Sequence, residues 1–188
     1  MRTKTFTFLA LLALAAIPLF LCISCHETKK AAAFDVTYNL PRIYFSYTST
    51  LLKSGEVILY TCQEKINLDS ILMAHDIPTG MITSAKLSQF SMTMTEPPDA
   101  SFSWLQSMRL LVSKDTSFNT NVELGNFVNN DPAAKIVNLT LNNVDMIPYM
   151  NNTTFYYRIL ATLEAGPLPS NKVTMFLDSQ LKLHIEPL

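Results

Sequence analysis

Few residues in this chain could do chemistry, and they are far apart. The three histidines, His26, His75 and His184, have no partner among themselves at the H-x-x-x-H spacing of a zinc site. Four glycines, at positions 55, 80, 125 and 166, give no phosphate-cradling loop and no G-x-S-x-G elbow. A Ser-His pair or a pair of carboxylates could still assemble from distant positions. The expectation is therefore a non-enzymatic protein with no metal and no cofactor.

Cysteine chemistry is concentrated at the N-terminus. Arg2 and Lys4 precede an uncharged apolar run from Phe6 to Ile23, which ends at Ser24 and Cys25. A basic start, a hydrophobic middle and a small residue before the cut describe an export signal. With Cys25 directly after Ser24, this signal resembles those of bacterial lipoprotein precursors. The resemblance implies cleavage before Cys25, lipidation of its thiol, and a membrane partner reached through that anchor.

Other processing patterns fit the same residues less well. Cleavage after Ala31-Ala32-Ala33 would leave Glu27, Lys29 and Lys30 in a long polar c-region. An uncleaved span from Phe6 to Ser24 is just long enough to cross a bilayer, with its basic residues on the cytoplasmic side. Each alternative exports residues 34–188. The expected organisation is a signal peptide over 1–24, a lipid-anchored tether over 25–33 and one domain over 34–188. The resulting location is the cell envelope, membrane-anchored at the outer membrane or facing the periplasm.

Charge and cysteine usage narrow the partners. The whole chain carries 14 basic and 15 acidic residues, and loss of Arg2 and Lys4 leaves twelve against fifteen, a formal charge of −3. Basic residues are scattered singly, which excludes the clustered cationic surface a nucleic-acid binder needs. Once Cys22 leaves and Cys25 is lipidated, Cys62 stands alone, so no intramolecular disulfide can staple the fold. A core must do that work, and 164 residues suffice for one.

The elements that would position any site alternate with period two. Val173, Met175, Leu177, Leu181, Leu183 and Ile185 share one parity, while Lys172, Thr174, Asp178, Gln180, Lys182, His184 and Glu186 share the other. Phe155, Tyr157, Ile159, Ala161 and Leu163 repeat the pattern, and Gly166-Pro167-Leu168-Pro169-Ser170 between the two runs predicts a hairpin with a long, stiff loop. Further strands are expected near 34–48, 56–65, 82–95, 107–113, 121–128 and 135–142, about eight in all. The parity changes after Pro41 and again between Leu87 and Phe90, which predicts bends or bulges there. Asn67 is placed to cap one short helix containing Leu68, Ile71 and Leu72.

The predicted fold is a single antiparallel β-sandwich, of immunoglobulin-like or jelly-roll style, with one short helix. Ten asparagines between Asn119 and Asn152 could supply oxygens to calcium or sugar hydroxyls, but their ordinary use is in turns. Tyr44, Trp104, Tyr149 and Tyr156 fall near loops or on wet parities, with Trp104 expected in the core. Thr154, Tyr156 and Arg158 would line one face together, and form the expected binding surface for another envelope protein or a glycan. The competing expectation is a hydrolase acting on envelope polymers or lipids.

Overall fold

A computed structural model describes residues 32–49, 54–166 and 168–188. The signal over 1–24, Cys25 and nearly all of the tether lie outside the described residues.

Ten strands, one α-helix and a single 3-10 turn (Ile147–Tyr149) are described: β1 (Phe34–Asn39), β2 (Ile43–Thr48), β3 (Gly55–Lys65), α1 (Leu68–Ala74), β4 (Gly80–Glu96), β5 (Leu105–Ser113), β6 (Asn121–Val128), β7 (Ile136–Asn138), β8 (Thr140–Leu141), β9 (Thr154–Leu163) and β10 (Lys172–Pro187). They form an all-β sandwich of two five-stranded antiparallel sheets. The first sheet runs β1–β10–β4–β7, with β2 also paired to β10, and the second runs β3–β9–β5–β6–β8. Side chains of one parity from each sheet meet between them. Met92, Met175, Leu181, Leu183, Phe102, Met108, Ile159 and Ala161 are each at most 1% exposed there. Burial of this kind is the main stabilising term for a fold without disulfides.

Two expected strands divide. The 34–48 run becomes β1 and β2, which occupy successive stretches of the same β10 edge: Asn39 pairs with Gln180 and Ile43 with Leu177. Pro41, which has no N–H to give a ladder, sits in the break. The 135–142 run likewise divides between the two sheets as β7 and β8. The parity change in β4 is a bulge: Leu87 faces Leu181 and Gln89 faces Gln180, so Ser88 is the extra residue.

The expected β9–β10 hairpin is not formed, and that reading is corrected. β9 lies between β3 and β5 in the second sheet, and β10 lies in the first. Two strands with one buried face each can be neighbours in a sheet or can face one another across the core, and alternation is the same in both cases. The eight-residue connection from Glu164 to Asn171 is long enough to span stacked sheets about 10 Å apart, and Leu168 within it is buried.

The helix forms where expected. Asn67 accepts a hydrogen bond from the Ser70 amide at its side-chain oxygen, and Ile71 and Leu72 are buried. A Cβ on Gly80 would lie 2.9 Å from Leu72 Cδ2 and 3.2 Å from the Glu186 carbonyl, so the missing side chain lets the helix sit against the start of β4.

Candidate functional site

The outer face of the first sheet is the candidate site. Strand β10 is central, and its even-numbered residues point away from the core. Thr174, Phe176, Gln180, Lys182 and His184 each meet a residue of β1 or β2 on one side and of β4 on the other, giving a ladder of side chains across three strands.

At one end the Tyr44 and Phe176 rings lie 5.6 Å apart at 54°. The Arg42 guanidinium stacks 4.2 Å over Phe176 and donates to both carboxylate oxygens of Asp178, at 2.8 and 3.0 Å. Asp178 foremost, then Tyr44, hold Arg42 above its ordinary value. With Phe176 covered by that cation, Tyr44, 63% exposed, is the open aromatic surface. The next rung is Asn39, Gln180 and Gln89, three side-chain amides in register. Amides of this kind both donate and accept, as sugar hydroxyls do.

The far end is charged. Lys182 faces Lys86 across β10 and β4, and the neighbouring rung is Asp35, His184 and Ser84. Asp35 lies 2.7 Å from His184 Nδ1 and 2.9 Å from Lys182 Nζ. His184 first, and Lys182 after it, hold the Asp35 carboxyl below the usual range. With Asn143, these residues line an open depression of about 340 Å³. No hydrogen bond joins Ser84 to His184 among the described residues. The Asp-His-Ser order is that of a hydrolase triad, with its second link unmade.

The surface expected from sequence lies on the other sheet. Thr154, Tyr156 and Arg158 do share the outward face of β9, and all are partly buried. Arg158 is engaged there: its guanidinium stacks 4.0 Å over Phe118 and donates to Thr61 Oγ1 at 3.3 Å and to the Thr116 carbonyl at 3.4 Å. Phe118 is itself 5% exposed. Residues 114–120 thus fold over part of this face.

The remaining candidates resolve into structure. Trp104 is buried and stacks on Tyr47. His75 packs on Phe34 with ring centroids 4.7 Å apart. Asn129 donates to the Phe102 and Leu105 carbonyls, and Asn143 and Asn152 take left-handed backbone at φ 51° and 56°, the turn roles asparagine suits. Among the described residues no group of three His, Cys, Asp or Glu side chains could hold a metal. Cys62 lies on the inner face of β3, donating to Glu64 Oε1 at 3.4 Å. Burial, with Glu64 next in weight, pushes its thiol up to about 11, and burial raises the Glu64 carboxyl as well. This thiol is inert rather than nucleophilic.

Sequence reasoning missed the β10 face although one signal marked it. Phe176 stands on the wet parity of the C-terminal run, an aromatic where every neighbour of that parity is polar. Its partners Tyr44 and Arg42 come from 132 and 134 positions earlier, which no local pattern links.

No family model matches the chain, and no curated protein matches it. Solved structures that match include Desmodium yellow mottle tymovirus, at 14% identity over 84% of both chains with a TM-score of 0.29. Turnip yellow mosaic virus matches at 12% identity, over 84% of this chain and 96% of that one, with a TM-score of 0.29. Mud crab tombus-like virus matches at 12% identity, over 91% and 98%, with a TM-score of 0.27. Likeness at this level carries no functional argument.

Proposed function

We propose that this protein is a non-enzymatic lipoprotein of the cell envelope, held in the membrane through lipid on Cys25, whose β-sandwich binds a glycan. The observation that carries the reading is the β10 face, where Tyr44 stands open about 13 Å along the strand from the Asn39, Gln180 and Gln89 rung. A flat aromatic ring stacks on a sugar ring while amides meet its hydroxyls. An envelope protein is the other partner class, since aromatic and arginine side chains such as Tyr44 and Arg42 also anchor protein interfaces.

Mass spectrometry of the membrane fraction tests the anchor: a peptide beginning at acylated Cys25 is expected, and Cys25→Ala should release the domain or stall its maturation. Unmodified mature protein starting at Phe34 would end the lipoprotein reading. Screening the full chain against envelope polysaccharides tests the glycan, with Tyr44→Ala expected to weaken retention at an unchanged melting temperature.

A second reading rests on the Asp35, His184 and Ser84 rung: a hydrolase in which His184 takes the Ser84 proton and Asp35 orients the imidazole. Turnover of ester substrates abolished by Ser84→Ala and by His184→Ala would establish it and displace the binding module.

A further inference from the structure

We infer that the glycan is anionic, with its carboxylate or sulfate group held at the Lys86 end of the β10 face; this rests on the reading of that face as a glycan surface. The geometry there is unbalanced. Lys86 and Lys182 are direct cross-strand partners, and like charges in that relation are destabilising unless something offsets them. Asp35 offsets Lys182, and shares itself with His184.

Lys86 has no such relief. Its side chain is partly buried and has no hydrogen-bond or ion-pair partner among the described residues. Asp145 is the nearest acid by strand pairing, bridging to Lys86 through the backbone, but its Oδ1 accepts from the Ala85 and Ile147 amides at 3.0 and 3.2 Å. An unpaired ammonium beside the Asn143 amide and the Ser84 hydroxyl, all lining one depression of about 340 Å³, is suited to an oxyanion. Glu186, next on the same parity of β10, faces the start of β4 at Met81, beyond the Ser84 rung.

The position of the depression ties it to the aromatic end. Lys182 is six residues along β10 from Phe176, about 20 Å in an extended strand. Tyr44 and Lys86 would therefore meet different sugar units of one polymer, with the amide rung between them. The aromatic end supplies affinity for the saccharide, and the lysine end selects for its charge.

The test is binding of the full lipidated chain, in detergent micelles, to polygalacturonate, dextran sulfate and neutral dextran. Binding to one or both polyanions that weakens steeply with salt is expected, and which of the two binds identifies the carboxylate or the sulfate. Lys86→Met should weaken it about tenfold or more, Lys86→Arg should restore it, and Lys114→Met, the same charge change on the loop after β5, should leave it unchanged. Equal binding to dextran, or polyanion binding indifferent to Lys86→Met, overturns the anionic selectivity while leaving glycan binding in place. No retention of any of the three overturns both.

Discussion

The two sheets bury their inner faces alike, yet their outer faces differ. On the second sheet, Phe118 and its loop cover Arg158, whose guanidinium is consumed by contacts within the molecule. On the first sheet the outward side chains of β10 meet those of neighbouring strands and Arg42, which stacks over Phe176 and pairs with Asp178, while Tyr44 and Lys182 stay exposed. A polar parity thus marks where a strand faces away from the core. It does not tell whether that face is left for a partner, because the covering loop comes from elsewhere in the chain.

The largest expected effect tests the shared inner faces. Leu181→Ala, Leu183→Ala and Ile159→Ala each empty a site at most 0% exposed and should cost about 2–5 kcal/mol in denaturant melts. Similar losses on both sheets are expected; a loss confined to one would mean the sheets do not share a core.

The next effect separates the outer faces. Phe118→Ala removes a ring that is buried under a guanidinium and should cost about 2 kcal/mol, whereas Tyr44→Ala should stay within about 0.5 kcal/mol. Equal costs would mean that the β10 face is as consolidated as the β9 face.

A pH titration sharpens the comparison on the inner side of the second sheet. Burial raises the Glu64 carboxyl above its ordinary 4.5. In the unfolded chain that carboxyl ionises first, so the contribution of Glu64 is fully present below about pH 4.5 and is lost as pH rises through the folded-state value. Glu64→Gln should remove that decline, visible as a flatter stability profile toward neutral pH. An unchanged profile would place the slope on another group.

The smallest effect belongs to the open face. Lys182→Ala should change stability by no more than about 0.5 kcal/mol, because its ion pair with Asp35 is exposed and solvent-screened. A loss as large as that of its neighbour Leu183 would mean the parity is assigned to the wrong face.

Much of this architecture was legible because alternation is a local property. Strand positions, the Asn67 cap, the break at Pro41 and the Ser88 bulge all follow from residues within a few places of one another. Pairing is different. Whether β9 sits beside β10 or opposite it depends on loop length and on the other strands competing for each edge, and the alternation of Phe155 to Leu163 is the same in both. The site was less legible still. His184 reads as a solvated histidine until Asp35, 149 positions away, is brought alongside, and Phe176 has no meaning without Tyr44 and Arg42.

The half-buried thiol on β3 has a practical consequence. On the proposed processing Cys62 is the last free cysteine, and with its ionisation pushed up to about 11, roughly one thiol in a thousand is reactive at pH 8. A maleimide added to intact cells would label it slowly in the folded domain and faster when the strand peels away or the domain opens. The rate of that labelling, read against the same chain in denaturant, makes this side chain a built-in gauge of how often the tethered domain unfolds where it lives.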